Sequence, residues 1–264
     1  MNLFGNLNPI LQALIATTFT WGITLLGALV VCFFKEVNKK ALNTILGFSA
    51  GVMIAASFWS LLLPSIELSE ELGYIAWGLP ALGFILGGLF VLLSDKFLDK
   101  TLSDKNSIKK DSLKRSILLV AAITLHNIPE GMSIGVAFGG ISSGVSGMTL
   151  IGAIMLAIGI GIQNFPEGAA VSLPLRKEGF SRKKSFFIGQ ASALVEPISA
   201  VIGVILVLAV RSILPILLSF AAGAMITVAS RELLPESISE NKNLSTLGLI
   251  SGFVLMMVLD VALG

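Results

Sequence analysis

Long runs of apolar residues alternate with short polar segments along the whole chain. Eight runs can be distinguished, near residues 9–34, 44–66, 73–94, 117–140, 148–173, 186–210, 213–235 and 244–263. A bilayer core about 30 Å thick is spanned by roughly 20 helical residues, since a helix rises about 1.5 Å per residue. The runs are continuous rather than alternating, which favours helices over a transmembrane barrel. We therefore predict an all-α polytopic membrane protein with eight transmembrane helices.

Composition agrees with a membrane protein. The chain has 264 residues, of which 55% are hydrophobic and 13% are charged, whereas soluble domains carry about 25% charged residues. The first run is not expected to be a signal peptide, because no Lys or Arg precedes Lys35. Cys32 is the only cysteine, which excludes an intrachain disulfide and a thiolate cluster for a soft metal. We expect residues 1–264 to form a single transmembrane domain.

Positive charges concentrate in alternate loops of the predicted topology. Most of the 18 Lys and Arg residues lie between helices 1 and 2, 3 and 4, 5 and 6, or 7 and 8. The positive-inside rule places these loops in the cytoplasm and both termini outside, as expected for a multi-pass protein of the cytoplasmic (inner) membrane. The most basic loop, 95–116, is interpreted as a flexible cytoplasmic linker, with lipid or protein docking as the alternative. Nothing in the sequence suggests nucleic-acid binding.

Two later segments resemble two earlier ones. Residues 82–95 (LGFILGGLFVLLSD) align with 247–260 (LGLISGFVLMMVLD), and residues 48–64 align with 220–235. The members of each pair are five helices apart, an odd number, so they cross the bilayer in opposite directions. Inverted repeats of this kind build transporters with a binding site near the midplane. The predicted arrangement is 3+2+3, with helices 1–3 and 6–8 arranged around helices 4 and 5; chance similarity is the alternative.

Helices 4 and 5 carry related polar motifs, HNIPEG at 126–131 and QNFPEG at 163–168. A charge at the membrane centre costs at least ~2.5–3.5 kcal/mol, so such residues usually face a cavity and a partner. At about 100° per residue, Glu130 lies angularly between His126 and Asn127, so its carboxylate can contact a cation on each side. Helix 5 repeats the arrangement with Gln163, Asn164 and Glu167. Two facing helices would supply two adjacent sites bridged by Glu130 and Glu167, and Pro129 and Pro166 should kink both helices there.

A third acidic residue, Glu196, lies in helix 6 directly before a proline. Three glutamates with Arg231 as one possible basic partner leave net negative charge, which a divalent cation would neutralise. The alternative is that these glutamates are protonated and hydrogen-bonded within the bundle. Imidazole with carboxylate and amide oxygens suits Zn, Mn, Fe(II), Co or Cd. Met53 in helix 2 could add a sulfur ligand, although buried methionines also serve as packing.

The motifs HNIPEG, QNFPEG, VEP in helix 6 and RELLPE in helix 7 together resemble the bacterial type of the ZIP (Zrt/Irt-like) divalent-metal transporters. The resemblance implies uptake of Zn²⁺ and related metals into the cytoplasm, with the metal as transported substrate, no organic cofactor and no enzymatic activity. It implies a binuclear site and is compatible with a homodimer. By position, one ion site would use His126, Glu130, Gln163 and Glu167, with Met53 as a possible extra ligand. The other would use Asn127, Asn164 and Glu196, with Glu130 and Glu167 bridging.

The chain departs from the family pattern at three places. Asn164 stands where many members carry Asp, Arg231 stands where a His often precedes the glutamate of helix 7, and loop 3–4 has no histidine. Glu232 and Asp260 are expected to line the exit. One alternative is a membrane di-metal carboxylate enzyme, although Glu-x-x-His bundles order the two residues oppositely. A passive metal channel with the same site is another.

Overall fold

The computed structural model describes residues 2–34, 38–102, 108–144, 148–239 and 241–263, and no β-strand occurs among them. Eight long helical segments follow one another in this part of the chain: α1 Pro9–Phe33; α2 Lys39–Ala56 continued by Ser57–Leu62 and Leu63–Glu71; α3 Gly78–Leu102; α4 Ile108–Ser142; α5 Leu150–Lys177; α6 Arg182–Ala191 and Val195–Ala209; α7 Leu214–Val228 continued by Ala229–Leu233 and Leu234–Ser237; and α8 Lys242–Val258 continued by Leu259–Leu263. Short helices at Asn2–Gly5 and Arg211–Ile213 precede α1 and α7.

Six of these segments are long and apolar enough to cross a membrane. They are Pro9–Phe33, Lys40–Glu71, Leu150–Arg176, Arg182–Ala209, Leu214–Ser237 and Lys242–Ala262. The apolar part of α3, Gly78–Ser94, is shorter. The helical structure of the described residues and these six candidate spans confirm the prediction of an all-helical, multi-pass membrane protein.

Local chemistry explains where several helices begin and end. The side chain of Asn8 accepts a hydrogen bond from the Ile10 amide at 2.9 Å before α1, and Thr149 accepts one from the Gly152 amide at 2.9 Å before α5. Such caps satisfy amides that have no partner in the first turn. Gly179 follows α5 with φ of 92°, a left-handed conformation that glycine adopts without steric cost.

The helices extend further than the apolar runs. α3 continues to Leu102 and α4 begins at Ile108, so most of the segment 95–116, expected to be a loop, is helical. Residues 103–107 lie outside the described residues. Lys, Leu and Arg are good helix formers, so the helices can continue in water beyond the apolar stretch that hydropathy detects.

α6 is interrupted, whereas a continuous helix was expected over 186–210. Its first part ends at Ala191, residues 192–194 form a turn, and the second part begins at Val195. Pro197 favours a break here, since it has no amide to bond the Ala193 carbonyl and its ring would clash with that carbonyl in a continuous helix. In the first turn of the second part the same proline is tolerated, because that amide would have no helical partner.

The helices pack in four close pairs, α1 with α5, α4 with α6, α2 with α8, and α3 with α7. Glycines allow the approach in the first pair. A methyl group on Gly27 would clash with the Phe165 carbonyl oxygen, and one on Gly168 would clash with that of Thr24. Further contacts assemble the pairs into two groups, a first group of α1, α4, α5 and α6 and a second group of α2, α3, α7 and α8.

The two pairs of the second group use matching contacts. In α2–α8, Gly51 lies against the Leu249 carbonyl and Gly252 against that of Phe48. In α3–α7, the matching contacts join Gly223 with Phe84 and Gly87 with Phe220. These residues occupy equivalent positions in the two aligned segment pairs. The aligned segments of α2 and α7 also each contain a π-helical turn at the same position, Ser57–Leu62 in α2 and Ala229–Leu233 in α7.

Candidate metal centre

Three glutamates are buried inside the first group of helices. Glu130 on α4, Glu167 on α5 and Glu196 on α6 are 1%, 6% and 0% exposed. α4 and α5 continue as helices through Pro129 and Pro166. The three carboxylates are near enough to interact electrostatically, Glu167 and Glu196 each with Glu130 and also with one another. α4, α5 and α6 therefore bring these three carboxylates together.

An amide of α5 orients the carboxylate of α4. Gln163 Nε2 donates to Glu130 Oε1 at 2.6 Å, and both side chains are buried. The amide has a donor on one end and an oxygen on the other, so this bond leaves Gln163 Oε1 available as an acceptor. This bond links the first residue of the QNFPEG motif to the glutamate of the HNIPEG motif.

A second amide of α5 holds the carboxylate of α6. Asn164 Nδ2 donates to Glu196 Oε1 at 2.8 Å and to the Thr20 carbonyl at 3.4 Å. The hydroxyl of Thr20 on α1 donates to the other oxygen of Glu196. Hydrogen bonds to an ionised acceptor are about twice as strong as neutral ones. Glu196 is therefore held by donors from two other helices.

Asn127 contacts the interruption of α6. Its Nδ2 donates to the Ser192 carbonyl at 3.0 Å, and its side chain is 1% exposed. Ser192 lies in the turn that separates the two parts of α6, where carbonyl groups lack helical partners. The bond anchors the interruption to α4 and directs the side-chain oxygen of Asn127 away from it.

Five buried oxygens of the motif residues accept no hydrogen bond from the part of the chain that the structure describes. They are Asn127 Oδ1, Glu130 Oε2, Gln163 Oε1, Asn164 Oδ1 and Glu167 Oε2. Leaving a buried acceptor unsatisfied costs about 1–3 kcal/mol, and more for a charged group. Carboxylate and amide oxygens of this kind can bind a divalent cation, which would satisfy several of them together.

His126 and Met53 are the two remaining predicted ligands. The side chain of His126 lies outside the described residues, although its backbone is part of α4. Met53 on α2 is fully buried within the apolar core, as expected for packing. Among the described side chains, no group of three or more His, Cys, Asp and Glu residues is placed to hold a metal ion.

Glu232 and Asp260, expected together at the exit, lie toward opposite ends of the bundle. Glu232 on α7 interacts electrostatically with Glu167 and precedes the end of α7, where Ser237 bonds Ser245 of α8. Asp260 is at the other end of α8 and accepts a hydrogen bond from the Ser60 hydroxyl at 2.6 Å. Glu232 therefore lies near the end of the bundle where Ser237 contacts Ser245, and Asp260 lies near the opposite end. Arg231 is exposed rather than buried beside the three glutamates.

A pocket of about 220 Å³ contains Asp260 and opens between the two helix groups. Ser60 and Val261 line it from the second group, and Ala137 and Thr149 line it from the first. The first half of α5 leads from this pocket toward Gln163. The pocket thus lies at one end of the interface that the two groups share.

Thr20 was not identified from the sequence, although it contacts Glu196. Thr17, Thr20 and Thr24 are all buried on α1, spaced by three and four residues, so they share one helix face. A row of hydroxyls in an apolar helix was therefore visible in the sequence. Its partner was not, because Glu196 is 176 residues away along the chain.

Comparison with known proteins identifies related sequences. Residues 102–260 match the family described as "ZIP Zinc transporter". The human "Zinc transporter ZIP11" is 38% identical over 338 aligned positions, which cover 97% of this chain and 98% of that protein. "Zinc transporter GufA" of Myxococcus xanthus is 34% identical, covering 95% of this chain and 98% of its own length. "Zinc transporter ZIPB" of Bordetella bronchiseptica is 37% identical, covering 91% and 78%.

Proposed function

The chain belongs to the ZIP family of metal transporters, and from that premise we propose that it carries Zn²⁺ into the cytoplasm through a two-ion site between α4, α5 and α6. Cadmium, iron, manganese and cobalt are proposed as further substrates, because the donor set does not select strongly among these divalent ions. The relatives are named as transporters, so the family's role is transport rather than catalysis. The metal is a substrate that passes through the site.

The observation that carries the proposal is the set of five unsatisfied oxygens beside three buried glutamates. Every hydrogen bond that the described residues give to these carboxylates comes from a neutral hydroxyl or amide. Buried charges are normally paired or bind a metal. A divalent cation would supply both the missing charge and the missing partner for the oxygens.

We assign the two ion positions by the contacts of the motif residues. The first position uses Glu130, Gln163 and Glu167, with His126 and Met53 as further ligands. The second uses Asn127, Asn164 and Glu196, and Glu130 and Glu167 bridge the two. The bond between Gln163 and Glu130 and the bond between Asn164 and Glu196 support this division, because each joins residues of one position.

We propose that the helices form a 3+2+3 arrangement of eight membrane spans, in which α1–α3 and α6–α8 are inverted repeats. Exchanging α1 with α6, α2 with α7, α3 with α8 and α4 with α5 converts the four close helix pairs into one another. The matching glycine contacts and the two π-helical turns support the same relation. α4 and α5 would then flank the pseudo-twofold axis near the bilayer midplane.

We propose that both termini are outside and that the pocket with Asp260 faces the outer side of the cytoplasmic membrane. The basic residues of alternate loops support this orientation. The ion would enter through the pocket, reach Glu130 and Glu167, and leave past Glu232. The proximity of Glu232 to Glu167 supports the last step.

We propose a carrier in which the first helix group moves against the second. All residues assigned to the ion positions except Met53 lie on the first group, so the site would move with it. Ion binding must be tight enough to replace water and weak enough to release. A passive channel with the same residues is the alternative, and metal flux in proteoliposomes against a metal gradient, with and without an opposing driving force, distinguishes the two.

A homodimer in the bilayer is part of the proposal. Large apolar side chains such as Ile85 on α3 and Ile250 on α8 are exposed, which suits contact with lipid or a second copy. Gly87 and Gly252 of these helices are not available for a dimer contact, because they already contact α7 and α2.

The decisive experiment measures ⁶⁵Zn uptake into vesicles by wild type, Glu130→Gln and Glu67→Gln. Glu130→Gln removes a bridging charge at nearly constant volume and should lower uptake by at least about tenfold, the effect of 1.4 kcal/mol. Glu67 is exposed on α2, so its variant is the control and should transport like wild type. Equal uptake by wild type and Glu130→Gln would refute the assigned site.

A further inference from the structure

Two neighbouring residues of α1 bind α6 on either side of its interruption. Trp21 Nε1 donates to the Gln190 carbonyl at 3.1 Å, two residues before the turn at 192–194. The Thr20 hydroxyl donates to Glu196, two residues after the turn. α1 therefore spans the interruption and fixes the second part of α6 relative to the first.

The hydrogen bonds of Glu196 differ from those of the bridging glutamates. Both of its oxygens already accept a bond, one from Asn164 and the other from Thr20. Glu130 and Glu167 each have an oxygen that accepts none from the described residues. An ion at the second position would compete with the Thr20 hydroxyl for Glu196, and the displaced hydroxyl has the Thr17 carbonyl, at 3.1 Å, as its other acceptor. An ion that binds Oε2 of Glu130 and Oε2 of Glu167 meets no such competitor.

We infer that Thr20 is a positioning residue that controls the second ion position by holding Glu196 against α1. This inference rests on the proposed two-ion site. The first ion binds between Glu130 and Glu167 with the α1–α6 contact intact. The second ion binds tightly only when the hydroxyl of Thr20 releases Glu196, so its affinity depends on that contact.

Thr20→Val tests the inference, because valine has nearly the shape of threonine and no hydroxyl. Cd²⁺ binding to the purified chain in nanodiscs, measured by equilibrium dialysis, reports the number and affinity of bound ions. The second ion should bind Thr20→Val roughly tenfold more tightly than wild type, since a hydrogen bond to a charged group is removed from competition. Thr20→Ser retains the hydroxyl and should bind like wild type.

Thr17→Val is the matched control. Thr17 is equally buried on α1, and its hydroxyl donates only to carbonyls of its own helix, with Ala13 at 2.7 Å as the nearer acceptor. Its variant should leave both affinities unchanged. Equal second-ion affinity in wild type and Thr20→Val, or a tightening in Thr20→Ser equal to that in Thr20→Val, would overturn the inference.

Wild type alone also tests the inference if Thr20→Val does not fold. Two ions bound with equal affinity would show that Thr20 does not restrict the second position. Failure of the proposed function has a separate signature, because wild type would then bind no Cd²⁺, or Glu130→Gln would bind both ions like wild type.

Discussion

At the scale of single residues, the three buried glutamates have similar environments and different roles. Glu196 accepts hydrogen bonds from two helices, and Glu130 accepts one from Gln163. Oε2 of Glu167 accepts none from the described residues. The carboxylate with the fewest protein donors is the one most available to a cation, whereas the one with the most donors also joins helices. Transport should therefore depend on both Glu167 and Glu196, whereas stability should depend on Glu196.

Replacing Glu167 and Glu196 by leucine should separate these roles. Glu196→Leu removes the charged acceptor of the Thr20 hydroxyl and the Asn164 amide, which retain only the Thr17 carbonyl at 3.1 Å and the Thr20 carbonyl at 3.4 Å. The variant should lower the free energy of unfolding by roughly 1–3 kcal/mol. Glu167→Leu replaces a poorly paired buried charge by an apolar side chain, which is often neutral or stabilising. Both should abolish ⁶⁵Zn uptake. Thermal unfolding in detergent measures stability, and equal destabilisation by the two variants would contradict the assignment.

At the scale of elements, helix contacts rather than helix propensity determine where the glutamates meet. Glycines let α1 approach α5 and let α4 approach α6, where Gly131 lies against the Glu196 backbone. Close approach of backbones is the usual basis of helix association in membranes, since lipid offers no hydrophobic driving force between helices. Glycine contacts with a neighbouring backbone also join α2 to α8 and α3 to α7.

Gly51→Ala should weaken the α2–α8 contact. Its methyl group would clash with the Leu249 carbonyl, and overpacking of this kind typically costs about 1–3 kcal/mol. Gly22→Ala on α1 is the control, since a methyl group there meets nothing within 4 Å, and alanine favours a helix. Thermal stability by size-exclusion chromatography should fall for the first variant only. A loss of stability in both would indicate general intolerance of alanine.

At the scale of the whole molecule, the division into two helix groups predicts which cross-links stop transport. Thr149, which caps the start of α5, and Val261 on α8 line one pocket from different groups. Leu63 on α2 lines it from the same group as Val261. In a Cys32→Ser background, a short thiol cross-linker between cysteines at 149 and 261 should abolish ⁶⁵Zn uptake. The same linker between 63 and 261 should leave uptake largely intact. Continued uptake with the first pair linked would favour a static channel over a carrier.

The sequence alone determined the membrane class, the positions of the long helices, the two motifs and the candidate ligands. These features depend on local properties, because each helix satisfies its own backbone and must be apolar to lie in lipid. The spacing of His126, Asn127 and Glu130 within one motif is likewise local. The resemblance carried by these motifs led to the family, and the comparisons confirmed it.

Only the tertiary structure decided which helices pair, where α6 is interrupted, and which oxygens have no donor. Thr20 meets Glu196 across 176 residues of sequence, and no periodicity within either helix encodes such a contact. The helix ends at the segment 95–116 also differed from expectation, since hydropathy records where a chain can be buried rather than where its helices stop. Contacts between distant segments arise from packing and hydrogen bonding of all helices together, and these alone orient the carboxylates.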